Sequence, residues 1–199
     1  MKLVYAFLAT AAVCAATLPA FADTNLALGA TVTTNGPGWG NSSGWCCGSF
    51  NPSSIVNGTP QADGTQWNEG TAFWSGGVPD TADTLTITLA NTASVDAIVL
   101  QADDNDAYQV NYWNGTAWTD LTTFSAVGGW GLATRPELFL GAPVTTDAFQ
   151  ITAVGGDGDY AVGQFEALGT AATPEPATYT MILTGLGVLG AMVRRRRIV

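Results

Sequence analysis

The sequence predicts an all-β protein built as an antiparallel sandwich, and three observations carry that expectation. No segment of its central region repeats apolar residues at the 3.6-residue helical period. Short alternating or continuously apolar stretches recur instead, separated at close spacing by clusters of Gly, Pro, Asn and Asp. The composition of the 199 residues, with 47% hydrophobic and 11% charged, is that of a folded domain rather than a disordered chain.

The elements follow in order. Met1 and Lys2 precede an Ala-rich apolar run over residues 3–18, which Pro19 breaks. Ala20-Phe21-Ala22 then offers the small residues of a cleavage site, so residues 1–22 read as a secretory signal helix removed after Ala22. Cys14 lacks the preceding Leu of a lipoprotein signal and leaves with the peptide. Residues 23–172 form the body. Thr84-Leu85-Thr86-Ile87-Thr88-Leu89 alternates strictly and places Leu85, Ile87 and Leu89 on a buried face. Residues 95–101 are more continuously apolar and predict an inner strand. Strands over 108–112 and 116–121 flank Asn114-Gly115, which predicts a hairpin with a two-residue turn. Strands at 138–140, 149–154 and 164–168 complete the domain.

Residues 173–199 differ in character. Pro174-Glu175-Pro176 leads into an apolar stretch over 177–193 and then Arg194, Arg195, Arg196 and Arg197. As a helix that stretch spans about 26 Å, the short limit for a bilayer core of about 30 Å. It predicts a single C-terminal transmembrane helix with its arginines on the cytoplasmic side. Small residues from Gly185 to Gly190 would let a partner helix approach closely.

Charge excludes several functions. Sixteen acidic residues face six basic ones, with no histidine and a net charge of −10. A body with a single basic residue and no basic face is not expected to bind nucleic acid. Without histidine it lacks the usual general base and transition-metal ligand. Between residues 23 and 173 stand fifteen acidic residues and one basic, Arg135, a net −14. Such a body repels acidic polysaccharide unless divalent cations bridge the two, which makes calcium the ion to test.

Two resemblances sharpen this reading. The Pro174-Glu175-Pro176 triplet, the Gly-rich apolar span and the arginine cluster resemble a PEP-CTERM sorting signal. The resemblance implies an exosortase, a membrane cysteine protease that cleaves near the triplet, as a partner beside the secretion machinery. It implies a Gram-negative host that makes exopolysaccharide or biofilm. The precursor would lie in the inner membrane with a cytoplasmic C-terminus. The product would reach the cell surface, outer envelope or extracellular matrix. A permanent membrane anchor is the alternative.

Across the body, Asn25-Leu26-Ala27-Leu28-Gly29-Ala30, Ile55-Val56-Asn57-Gly58 and Thr65-Gln66-Trp67 resemble elements of the galactose-binding-like, coagulation factor V/VIII type C (discoidin) family. So do Tyr108-Gln109-Val110 with Asn114-Gly115-Thr116-Ala117-Trp118, and the closing Gln164-Phe165-Glu166-Ala167-Leu168-Gly169. The resemblance implies a jelly-roll sandwich that binds ligands through loops at one end, with Trp67 and Trp118 in its core. It also implies a structural calcium ion near Asn57, Thr65 and Gln164 or Glu166. Asn57 and Gln164 stand where the family usually has carboxylates, which weakens the expected site.

The residues themselves offer further candidates. Asp103, Asp104 and Asp106, and Asp157 with Asp159, lie in loops and either collect calcium or are solvated turn residues. Trp39, Trp45 and Trp130 lie in Gly-rich loops, where a ring either faces sugar CH groups or packs into the core. Arg135 either bonds a sugar group or forms a structural ion pair. The adjacent Cys46 and Cys47 could close a vicinal disulfide, stay reduced or bridge molecules. The expected function is an exported, non-catalytic protein that binds carbohydrate or exopolysaccharide. A purely structural surface or biofilm protein is the alternative, and a paired-carboxylate glycan hydrolase a remote one.

Overall fold

The computed structural model describes residues 24–46 and 48–171, with Leu186. The expected signal segment, Cys47 and, Leu186 apart, the expected transmembrane helix lie outside the described residues. Among the described residues no helix is long and apolar enough to cross a membrane.

The body is all-β. Its strands are β1 (Thr24–Asn25), β2 (Thr31–Asn35), β3 (Ser49–Phe50), β4 (Glu69–Ser75), β5 (Asp80–Asp103), β6 (Ala107–Trp113), β7 (Trp118–Phe124), β8 (Leu132–Thr134), β9 (Leu138–Gly155) and β10 (Asp159–Ala171). One 3-10 turn, Pro52–Val56, opens on a proline and buries Ile55 and Val56. Hydrogen bonds join the strands in the order β3-β4-β10-β5-β9-β6-β7, with β1 added to β10 and β2 and β8 to β5. Every pairing is antiparallel except the short β3–β4 contact.

Two long strands turn this single path into two facing layers. The first part of β5 pairs with β2 and with the end of β9, where Ile87 opposes Phe149. Its later part pairs with β10, where Leu100 opposes Phe165. The β5–β9 register shifts between Thr88 and Ala93, around the exposed residues Ala90, Asn91 and Thr92. An extra residue in one strand bends it, so this is where both strands pass from one layer to the other. Phe149 then meets Phe165 across the core at 5.1 Å between ring centres, and Trp74 of β4 meets Tyr108 of β6 at 6.1 Å. This is a sandwich, consistent with the expected jelly roll.

The alternation expected at residues 84–89 holds, with Leu85 and Ile87 fully buried and Leu89 nearly so. Three expectations need correction. The strands expected at 84–89 and 95–101 are one strand, as are those at 138–140 and 149–154, because bulges let a strand continue through a break in pattern. The hairpin turn spans four residues, since Trp113 pairs with Trp118. Asn114 Oδ1 accepts the backbone N–H groups of Thr116 and Ala117, and this bond pattern favours the longer turn. Trp118 is 37% exposed on the hairpin, against Trp113 at 5.5 Å, rather than in the core. Trp67 is buried as expected.

Candidate functional site

The last residue of β5, the turn after it, the β7–β8 loop and the β9–β10 turn meet at one end of the sandwich. Backbone bonds lock the turn after β5 to the β7–β8 loop: Asp104 N donates to Gly131 O at 3.0 Å, and Val127 N donates to Asp104 O at 2.8 Å. Leu132 N donates to Thr65 O at 2.8 Å, tying in the loop before β4. Gly131 has φ +69, and a Cβ there would run into the Thr65 carbonyl, so only glycine lets these loops approach.

Arg135 organises this end from within. It is 2% exposed, and its guanidinium donates to the carbonyls of Ala133 at 3.0 Å, Asp103 at 2.7 Å and Asp106 at 3.3 Å. The sequence left Arg135 open between a sugar contact and a structural ion pair; it lies buried behind the loops, where its guanidinium holds their backbone. Tyr108 Oη donates to Asp106 Oδ2 at 3.1 Å and accepts Ala161 N, linking the Asp106 turn to β10.

The aspartates crowd together on this frame. Asp103, Asp104 and Asp106 are all buried, while Asp157 is exposed and Asp159 half-buried. Asn105 Nδ2 donates to Asp157 Oδ2 at 2.9 Å, and Asp157 N donates to Asp106 Oδ1 at 3.3 Å. Burial first, and then the neighbouring Asp106 charge, pushes the Asp103 carboxyl up to about 8. Burial likewise raises Asp106, to about 7, although the Tyr108 hydroxyl and Arg135 pull it down.

Two indoles stand above the carboxylates. Trp45 is 50% exposed and Trp130 62%, and their rings meet edge-on at 6.4 Å. With Trp67, Asp103, Asp104 and Asp157 they line an open cavity of about 100 Å³. The site therefore joins aromatic faces to carboxylates, with glycine backbone between them. Trp39 is not part of it: the ring packs on Trp74 at 4.5 Å, and its Nε1 donates to Asn35 O.

A second, polar groove of about 480 Å³ brings Asn57 and Thr65 together with Ser54, Gln61 and Glu69. Gly163 reaches its wall, and next in sequence the buried Gln164 leaves both amide atoms without a hydrogen-bond partner. Glu166 is half-buried farther along β10 and outside that wall. Among the described residues no three His, Cys, Asp or Glu side chains gather to hold a metal. Cys46 is exposed and its carbonyl accepts Asn68 Nδ2; the expected vicinal bond involves Cys47, outside the described residues.

The sequence pointed to Trp45, Trp130 and the two Asp loops separately, and the structure brings them into one cavity. It missed Trp67, Asn105 and Gly129 as cavity residues. The Gly128-Gly129-Trp130-Gly131 run was the available signal.

Residues 172–197 match the PEP-CTERM protein-sorting motif. No curated protein sequence matches the chain. Among solved structures, a fucolectin from striped bass (Morone saxatilis) serum is similar at TM-score 0.56 and 12% identity, over 76% of this chain and 50% of that one. The family 32 carbohydrate-binding module of Streptococcus pneumoniae EndoD is similar at TM-score 0.51 and 14% identity, over 74% of this chain and 100% of that one. The family 32 module of Clostridium perfringens NanJ, solved with galactose, is similar at TM-score 0.50 and 14% identity, over 74% and 98%. The chain thus carries a PEP-CTERM sorting motif after a body with the fold of galactose-binding-like carbohydrate-binding modules.

Proposed function

We propose that the protein is exported and binds carbohydrate, without catalysis, through the cavity under Trp45 and Trp130. The observation that carries this reading is the exposed indole pair over a carboxylate-lined cavity. Sugars offer CH faces that pack on flat rings, and hydroxyls that donate to carboxylates. Large rings left open at a loop end, on a fold shared with carbohydrate-binding modules, support a ligand there. The sorting motif supports export through the secretion machinery to an exosortase in the inner membrane. Release at the surface or in the matrix of a Gram-negative bacterium would follow.

Titration with soluble polysaccharides checks the reading through intrinsic fluorescence. Binding should quench emission, and Trp45→Ala or Trp130→Ala should remove most of the quench. Silence against a broad glycan panel would favour the structural alternative.

Calcium belongs to the same proposal. The unpartnered Gln164 amide, beside a groove with Asn57 and Thr65, suits a hard cation held by amide, hydroxyl and carbonyl oxygens. Added calcium should raise the melting temperature and EDTA should reverse it, with Gln164→Leu abolishing the response. A melting temperature indifferent to both would remove calcium from the account.

A further inference from the structure

The cavity under Trp45 and Trp130 is acidic beyond what a neutral sugar requires. Asp103 and Asp104 sit in its wall, each only 4% exposed, with Asp157 and Asp159 completing the acidic side. Arg135 is the sole Lys or Arg between residues 24 and 171, and its guanidinium is turned to backbone carbonyls behind the wall. Asp104 adds a separate observation. Its Oδ2 is buried and has no hydrogen-bond partner. Gly129 lies beside it in the cavity wall, where even a Cβ would come within 3.2 Å of that oxygen. A buried carboxylate oxygen without a donor is costly unless a ligand supplies one.

The two indoles narrow the ligand's chemistry. An aromatic face attracts a cation through its quadrupole, and a carboxylate beside it adds a charge-assisted bond. An organic cation with an apolar face fits this arrangement. It needs one or two carboxylates for its N–H donors and a ring for its CH surface.

We infer that the cavity selects amino sugars in their protonated form, so that the protein's carbohydrate is a cationic, glucosamine-type polymer rather than a neutral or acidic one. This inference rests on the carbohydrate reading of the same cavity. Asp103 faces Asp104, Asp106 and Asp157, and Arg135 and Tyr108 lie behind them; an ammonium would relieve that crowding.

The test uses the full-length protein purified in detergent, with circular dichroism and thermal melting reporting its fold. Glucosamine tetramer, N-acetylglucosamine tetramer and polygalacturonate are titrated near pH 6 with fluorescence and calorimetric readout. The amine tetramer should bind about tenfold or more tightly than its acetylated counterpart, the range of a charge-assisted hydrogen bond. That preference should collapse when salt rises from about 0.05 to 0.5 M. Asp104→Asn should remove the preference and the salt dependence, bringing the amine tetramer down to the affinity of the acetylated one, whereas Trp130→Ala should weaken both without removing the preference. Equal affinity for the two tetramers, or tighter binding of the acetylated one or of polygalacturonate, overturns the inference and leaves carbohydrate binding standing. No response to any of the three overturns the inference, and silence across the wider glycan panel removes the carbohydrate reading with it.

Discussion

At the scale of single residues, the crowding of Asp103 and Asp106 makes stability depend on pH with an unusual sign. An unfolded aspartate titrates near about 3.9. In the folded protein Asp103 keeps its proton to about 8 and Asp106 to about 7, with burial the leading cause for both. Between those limits the folded state holds protons that the unfolded state has released. Stability therefore falls as pH rises from about 4 to about 8, by at most about 1.4 kcal/mol per pH unit for each group. Chemical denaturation at pH 5 and pH 8 should show the higher free energy at pH 5. Asp103→Asn mimics the protonated carboxyl and should flatten much of that slope; a slope that stays unchanged would remove Asp103 as its source. The sequence showed these aspartates as a turn cluster. They are held by Gly131 and Arg135, distant in sequence, and no local pattern encodes that packing.

At the scale of elements, Arg135 fastens the β5–β6 turn to β8. Its donors go to Asp103, Asp106 and Ala133, so its loss would leave three buried carbonyls short of partners. Arg135→Met should cost about 3 kcal/mol in urea denaturation and weaken sugar binding although the side chain touches no ligand. A variant with unchanged stability and a selective binding defect would instead mark Arg135 as a direct contact. Strand identity was legible where alternation was strict, as at Leu85, Ile87 and Leu89. Strand length was not, because a bulge such as that near Thr88 reads in sequence as an end. β4 escaped notice because Ala72, Phe73 and Trp74 are all buried, with no alternation to betray a strand. Trp118 escaped for the reverse reason: Trp113 covers part of its ring, so an apolar residue sits at the surface.

At the scale of the whole molecule, the fold class and the sorting motif were legible in the sequence, while the meeting of five chain segments into one cavity was not. The former are local or periodic signals, and the latter depends on β5 and β9 crossing between layers. Mass spectrometry of the secreted product should find a mature C-terminus near Pro174; an intact arginine tail would rule out sorting cleavage. The course of β10 then fixes which way the molecule faces. Asp159, at its start, lies at the cavity, while Gly169, near its end, pairs with Thr24 of β1. Thirteen residues of strand separate its ends by about 40 Å. The described ends of the body, Thr24 and Ala171, thus lie at the pole opposite the indoles. A body tethered at either of these ends would hold its cavity on the side away from the tether.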